Sequence, residues 1–179
     1  FGRLDALVCN ATITGRQTFL EIKPEEMTEI LTTNVNGYLF CAQEAAKLMI
    51  PQRKGSIIMI SSVQSKGAVP RMMAYAASKA AINSVSRSIA IETAKYGVRC
   101  NVLIAGAIRV DKWEDFSDEE VARKRANWPL ERESTPEEIA QAALFLAGDQ
   151  SATITGTELT VDSGVTMCLL PYNKHWEEG

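Results

Sequence analysis

Two apolar runs limit what this chain can fold into more than any other feature. Gly55 to Ser62 (Gly-Ser-Ile-Ile-Met-Ile-Ser-Ser) and Val98 to Ala105 (Val-Arg-Cys-Asn-Val-Leu-Ile-Ala) are strand-length and do not alternate between apolar and polar residues. Strands of that kind are covered on both faces, the situation found in parallel sheets. Parallel neighbours need a long crossover, and a helical pattern from about Met72 to Tyr96 fills the gap between the two runs. Leu4 to Val8 before them and Thr157 to Asp162 after them also read as strands, each separated from its neighbour by helix-length sequence. The expected class is therefore α/β, a doubly wound parallel sheet with helices on both faces, built on four strands. The 179 residues suit a single domain spanning 1–179.

Local signals place the helices. Pro24-Glu25-Glu26 opens one, with Pro in the first turn and acids at the positive end of the dipole. Its apolar spacing runs to Ile50, interrupted by Thr32-Thr-Asn34-Val-Asn-Gly37, poor helix material that predicts a kink. The Met72–Tyr96 helix is rich in alanine and stops at Gly97, which fits a left-handed residue just past a helix end. Ser117…Glu120 and Thr135…Glu138 are capping boxes that open two further helices. Asp111 to Glu133 is a charged segment carrying Trp113, Phe116 and Trp128, at the carboxyl end of a strand where binding loops gather.

Between the second strand and the alanine-rich helix lies the stretch that carries chemistry: Ser61-Ser62, a short Gly- and Pro-bearing loop, then Tyr75 and Lys79. Residues four apart on a helix share a face, so the Lys79 amine is expected beside the Tyr75 phenol. A neighbouring cation favours phenolate and should lower the phenol pKa toward neutrality. Ser62, at the end of a strand, can bond the same substrate oxygen. Together the three suit proton transfer at a carbonyl or carbinol oxygen.

Composition excludes other classes. A net charge of −3 gives no basic footprint for nucleic acid, and no apolar run approaches the ~20 residues that span a bilayer. Cys9, Cys41, Cys100 and Cys168 are scattered and form no Cys-x-x-Cys. Reduced core thiols are expected, in a reducing, cytoplasmic setting. With the single histidine, His175, no metal site is expected.

Ser62 lies thirteen residues before Tyr75, and Tyr75-x-x-x-Lys79 follows a strand, a Ser-Ser pair and a loop. This arrangement resembles the short-chain dehydrogenase/reductase family, and the resemblance extends along nearly the whole chain. It implies a Rossmann-like sheet and an oxidoreductase that interconverts an alcohol and a ketone or aldehyde with NAD or NADP. Asn34, Ser62, Tyr75 and Lys79 would be its catalytic residues, with Asn34 bending its helix and holding a water that connects the lysine to solvent. Asn36 lacks the spacing. Asn10-Ala11 resembles the segment passing under the adenosine, and Gly106 and Ile108 resemble the segment meeting the nicotinamide carboxamide. Cofactor contacts are thus expected from Asn10, Ala11, Tyr75, Lys79, Gly106 and Ile108. The chain departs from the family pattern at Cys9, Thr12, Ala105 and Val110; the last three leave open a non-catalytic member acting as a binding or scaffold protein. Segment 111–133 corresponds to the variable substrate lid. There Arg123, Lys124 and Arg125 either meet an anionic substrate or form a solvated face. The glycine-rich phosphate turn of the family is not in this sequence. The chain therefore reads as the C-terminal two-thirds of such a protein, incomplete at its N-terminal half and not expected to turn over alone. The family also implies a small-molecule substrate and a homodimer or homotetramer.

Overall fold

The computed structural model describes residues 2–109 and 116–168. The expected roles of Val110, of the first part of the lid (residues 111–115) and of His175 lie outside these residues.

The sheet has four strands, β1 (Ala6–Cys9), β2 (Gly55–Ser62), β3 (Val98–Ala105) and β4 (Glu158–Val161), in the order β1-β2-β3-β4. Every pairing is parallel. The β2–β3 ladder is the longest and runs from Gly55 opposite Val98 to Ser62 opposite Ala105. Alternation along the pleat sends Ile57 and Met59 to one face and Ile58 and Ile60 to the other. The first face packs with Cys100, Val102 and Ile104 against Ala42, Ala45 and Met49 of α2 (Gly37–Gln52) and Ile82 and Ala90 of α3 (Met73–Thr93). On the second face Ile58 and Leu103 bury Leu146 of α5 (Pro136–Ala147). Both faces are covered, which is why β2 and β3 show no alternation in sequence.

The helix signals resolve as follows. Both capping boxes form: Ser117 opens α4 (Asp118–Arg125) and Thr135 opens α5. The long third helix ends in a tight turn, Ala94–Tyr96, closed by Gly97 at φ 75. At the position of the expected kink the helix carries one wider turn. Between α1 (Pro24–Leu31) and α2, residues Thr32–Asn36 adopt a π-helical turn, and the Gly37 N–H bonds back to the Thr32 carbonyl. Weak helix formers tolerate this extra residue, and such π turns gather at functional sites.

The thiols divide more than expected: Cys9 and Cys100 are buried, Cys168 is partly covered and Cys41 is exposed, and all four are free. Burial raises the Cys9 thiol to about 12, with Cys41 and Cys100 adding to it, and raises Cys100 to about 11. These two are inert core groups.

Candidate active site

The site forms where β2 ends and α3 begins. Lys79 is buried, 2% exposed, and its Nζ donates to the Ile60 carbonyl at 2.8 Å. It stands 5.6 Å from the centroid of the Tyr75 ring, so the pair one turn apart does share a place. The electrostatics differ from expectation, however. Burial lowers the Lys79 amine from an ordinary 10.5 to about 8. Burial also raises the Tyr75 phenol, and a hydrogen bond with Ser62 works in the opposite direction. The expected lowering of Tyr75 is therefore corrected: desolvation of the buried phenol outweighs the opposing hydrogen bond with Ser62.

Ser62 is held from both sides. Its Oγ accepts from the Gln64 N–H at 3.2 Å, and its carbonyl accepts from the Ser65 hydroxyl at 2.7 Å. Ser65 in turn accepts from Asn83 Nδ2 at 3.2 Å. Asn83 is one turn beyond Lys79, so Tyr75, Lys79 and Asn83 form one stripe of α3. Neighbouring Ser61 faces away, donating to the Lys79 carbonyl at 3.2 Å. Asn83 Oδ1 and Gln64 Oε1 are buried acceptors with no partner among the described residues.

Asn34 is fully buried in the π turn. Its Nδ2 donates to the Ile13 carbonyl at 2.9 Å and to Ser78 Oγ at 3.0 Å, while Oδ1 accepts from the Ile13 N–H at 2.9 Å. Both amide donors are thus used on protein. The side chain clamps the loop that follows β1 onto α3, rather than presenting a free donor to water.

The other predicted cofactor residues, Asn10, Ala11, Gly106 and Ile108, follow the ends of β1 and β3. Asn10 and Ala11 are exposed. Asn10 and Ile108 line a groove of about 560 Å³ with Val8, Ile60, Ala105 and the Ile139 face of α5. Gly106 bonds to the Val161 carbonyl through its N–H at 3.0 Å, and a Cβ there would run into Val63. Ala107 takes a positive φ of 51, turning Ile108 to pair with Ser134. Tyr75 and Lys79 do not line this groove, although Lys79 bonds to the carbonyl of Ile60, which does.

Within the described part of the lid, Arg125 grips Glu133 with two bonds of 2.7 and 2.6 Å. That pairing, with Arg109 3.7 Å away, holds the buried Glu133 carboxyl down at about 2. Arg125 is therefore a clasp on Glu133, on a side chain that stays partly exposed. The Lys124 ammonium lies 3.2 Å over the Phe116 ring.

Tyr38 was missed by sequence reasoning, although Lys79 Nζ is 3.4 Å from its hydroxyl. Gln64 and Asn83 were missed as well. Asn83 carried a usable signal, the fourfold spacing from Tyr75 through Lys79.

Known proteins resemble this chain in sequence and in fold. Residues 1–166 match the family model described as enoyl-(acyl carrier protein) reductase. The chain is 39% identical over 168 residues to the L-rhamnose-1-dehydrogenase of Scheffersomyces stipitis, covering 92% of this chain and 65% of that protein. It is 36% identical over 165 residues to a 3-oxoacyl-(acyl-carrier-protein) reductase of Chlamydia muridarum, covering 92% and 66%. A gluconate 5-dehydrogenase from Burkholderia cenocepacia, solved with NADP and tartrate, superposes with a TM-score of 0.87 at 30% identity, covering 94% of this chain and 67% of that one. The chain thus spans about two thirds of the length of these relatives.

Proposed function

Because the chain belongs to the short-chain dehydrogenase/reductase family, we propose that the protein carrying it is an NAD(P)-dependent oxidoreductase interconverting an alcohol and a ketone or aldehyde. The observation that carries this reading is the convergence of Ser62, Tyr75 and Lys79 at the end of β2. Burial keeps the Tyr75 phenol protonated near neutrality, the form that gives a proton to a carbonyl oxygen; in the reverse direction the phenolate takes it back. Ser62, fixed by the Val63–Ser65 turn, orients and polarises that oxygen. Lys79 supplies positive charge below the phenol, where the phenolate develops. Asn34 supports the arrangement by fixing the loop that carries Asn10 and Ala11.

The residues fit a nicotinamide dinucleotide. The groove beside Ile60, Ala105 and Ile108 is apolar enough for a ring face, and it lies at the carboxyl ends of parallel strands, where such ligands bind. Asn10, Ala11, Gly106, Ile108, Tyr75 and Lys79 would hold the cofactor, which when bound supplies the hydride donor or acceptor. Among the described residues no helix is long and apolar enough to cross a membrane, and a cytoplasmic location accords with the free thiols. Leu39, Phe40 and Leu48 of α2 and Ile91 of α3 are exposed apolar residues, which supports a two-fold interface through these helices in a homodimer or homotetramer. Residues 1–179 are taken as one catalytic domain, with 111–133 over the substrate.

The rival reading, a non-catalytic binding or scaffold protein, rests on the departures at Thr12, Ala105 and Val110. Against it stand the four side chains Asn34, Ser62, Tyr75 and Lys79, all present, and relatives that are named dehydrogenases and reductases. Nicotinamide fluorescence in the whole protein with a panel of alcohols and ketones decides between the two. Tyr75→Phe is expected to cut turnover by roughly 10²–10⁴-fold with cofactor affinity within about twofold; undiminished turnover would defeat the assignment.

A further inference from the structure

An ammonium has three N–H donors and no acceptor, and a buried charge is costly unless it is paired. Lys79 nevertheless has no carboxylate bonded to it among the described residues. Its partners are the Ile60 carbonyl at 2.8 Å and the Tyr38 hydroxyl at 3.4 Å. Tyr38 is itself buried, 3% exposed, and its hydroxyl stands 3.4 Å from the same Ile60 carbonyl. The three polar atoms close a triangle at the end of β2. Two rings flank the ammonium, Tyr38 with its centroid at 5.2 Å and Tyr75 at 5.6 Å, both within cation–π range.

We propose that Tyr38 is the positioning residue of Lys79: its ring and hydroxyl hold the ammonium against the Ile60 carbonyl near the end of β2 and beside Tyr75. The proposal rests on the dehydrogenase reading only for its consequence, that the charge is in place where a phenolate forms. The groups facing Lys79 are Tyr75 from its own helix, Tyr38 from α2 with Cys9 of β1 behind it, and the Ile60 carbonyl from β2. None of these carries a formal charge at neutral pH. Burial, then the neighbouring Cys9 and Tyr75, push the Tyr38 phenol upward, so it remains a neutral dipole that accepts from the ammonium.

The test uses the whole protein labelled with 13C-lysine, the Lys79 signal being identified by its loss in Lys79→Arg. Lys79 in the unsubstituted protein is expected to titrate near 8. Tyr38→Phe keeps the ring and removes the hydroxyl, and should lower the midpoint by about one unit, a tenfold loss in proton affinity. Tyr38→Leu removes the ring too and should lower it further. Tyr96→Phe, in the turn beyond the end of α3 and about 25 Å from Lys79 at 1.5 Å per residue, should leave it unmoved. Tyr38→Phe preserves volume, and thermal melting checks that it folds. An unchanged Lys79 titration in folded Tyr38→Phe and Tyr38→Leu overturns the proposal. A lowered titration in a protein that turns over no alcohol supports the Tyr38 role and counts against the dehydrogenase reading alone. Where turnover is present, the pH profile of kcat/KM should move with the lysine midpoint.

Discussion

Replacing Asn34 with alanine separates two roles for one residue. Its amide makes three hydrogen bonds, to the Ile13 N–H, the Ile13 carbonyl and the Ser78 hydroxyl. At a net value of about 1 kcal/mol each, Asn34→Ala should cost about 3 kcal/mol of stability. The site is fully buried, so water cannot readily replace the lost partners. Asn34→Asp keeps the acceptor for the Ile13 N–H, loses both donors and buries a carboxylate, so it should destabilise at least as much. Urea unfolding of the whole protein reads the stability, with an unchanged slope marking a change in the native state rather than in compactness. Cofactor affinity should fall as well, because Ile13 is in the same loop as Asn10 and Ala11. A water-relay role for the side chain would leave stability and affinity intact and lower kcat alone. That pattern, with stability changed by less than about 0.5 kcal/mol, would refute the clamp reading.

Two further outcomes follow from burial. Lys79 titrates at about 8 when folded against an ordinary 10.5, so above pH 8 the unfolded chain binds more protons and stability rises with pH up to roughly 10. Below that window the penalty for the buried ammonium is fully present, about 3 kcal/mol at most from the shift. Above about 10 the raised Tyr75 and Tyr38 phenols reverse the trend, because the unfolded tyrosines lose protons first. Lys79→Met should flatten the rise between pH 8 and 10 in chemical unfolding, and a persistent rise would rule out Lys79 as its source. Leu146→Ala, at a position with no solvent exposure between Ile58 and Leu103, should cost about 2–5 kcal/mol in the same assay; a loss under about 1 kcal/mol would mean that α5 is not anchored there.

What the sequence made legible was whatever is governed by short range. Thr135 and Glu138 are three residues apart and cap the same turn; Gly97 closes a helix through its own φ; Tyr75 and Lys79 share a face because helices repeat. The β2 and β3 runs disclosed a sheet covered on both sides for the same reason. Tyr38 escaped because its partner is 41 residues away, and an aromatic on an apolar helix face reads as ordinary core. Asn34 stood out in the sequence, but its bonds to Ile13 and Ser78, 21 and 44 residues distant, could not be foreseen from spacing. The direction of the Tyr75 shift also depended on three-dimensional facts, namely how deeply the phenol is buried and its hydrogen bond with Ser62. Arg125 looked like one of three free cations until the fold brought Glu133 back beneath it.

The π turn at Thr32–Asn36 fixes the angular phase between two helical segments. Each residue of an α-helix advances by about 100°, so trimming one residue from this turn to make it regular would swing Ile30 out of the core or carry Tyr38 away from Lys79. Single-residue gaps in this helix should therefore be absent from functional variants, even though the local chain would be a better helix without the extra residue. Its irregularity works as a vernier, setting what lies upstream against what lies downstream.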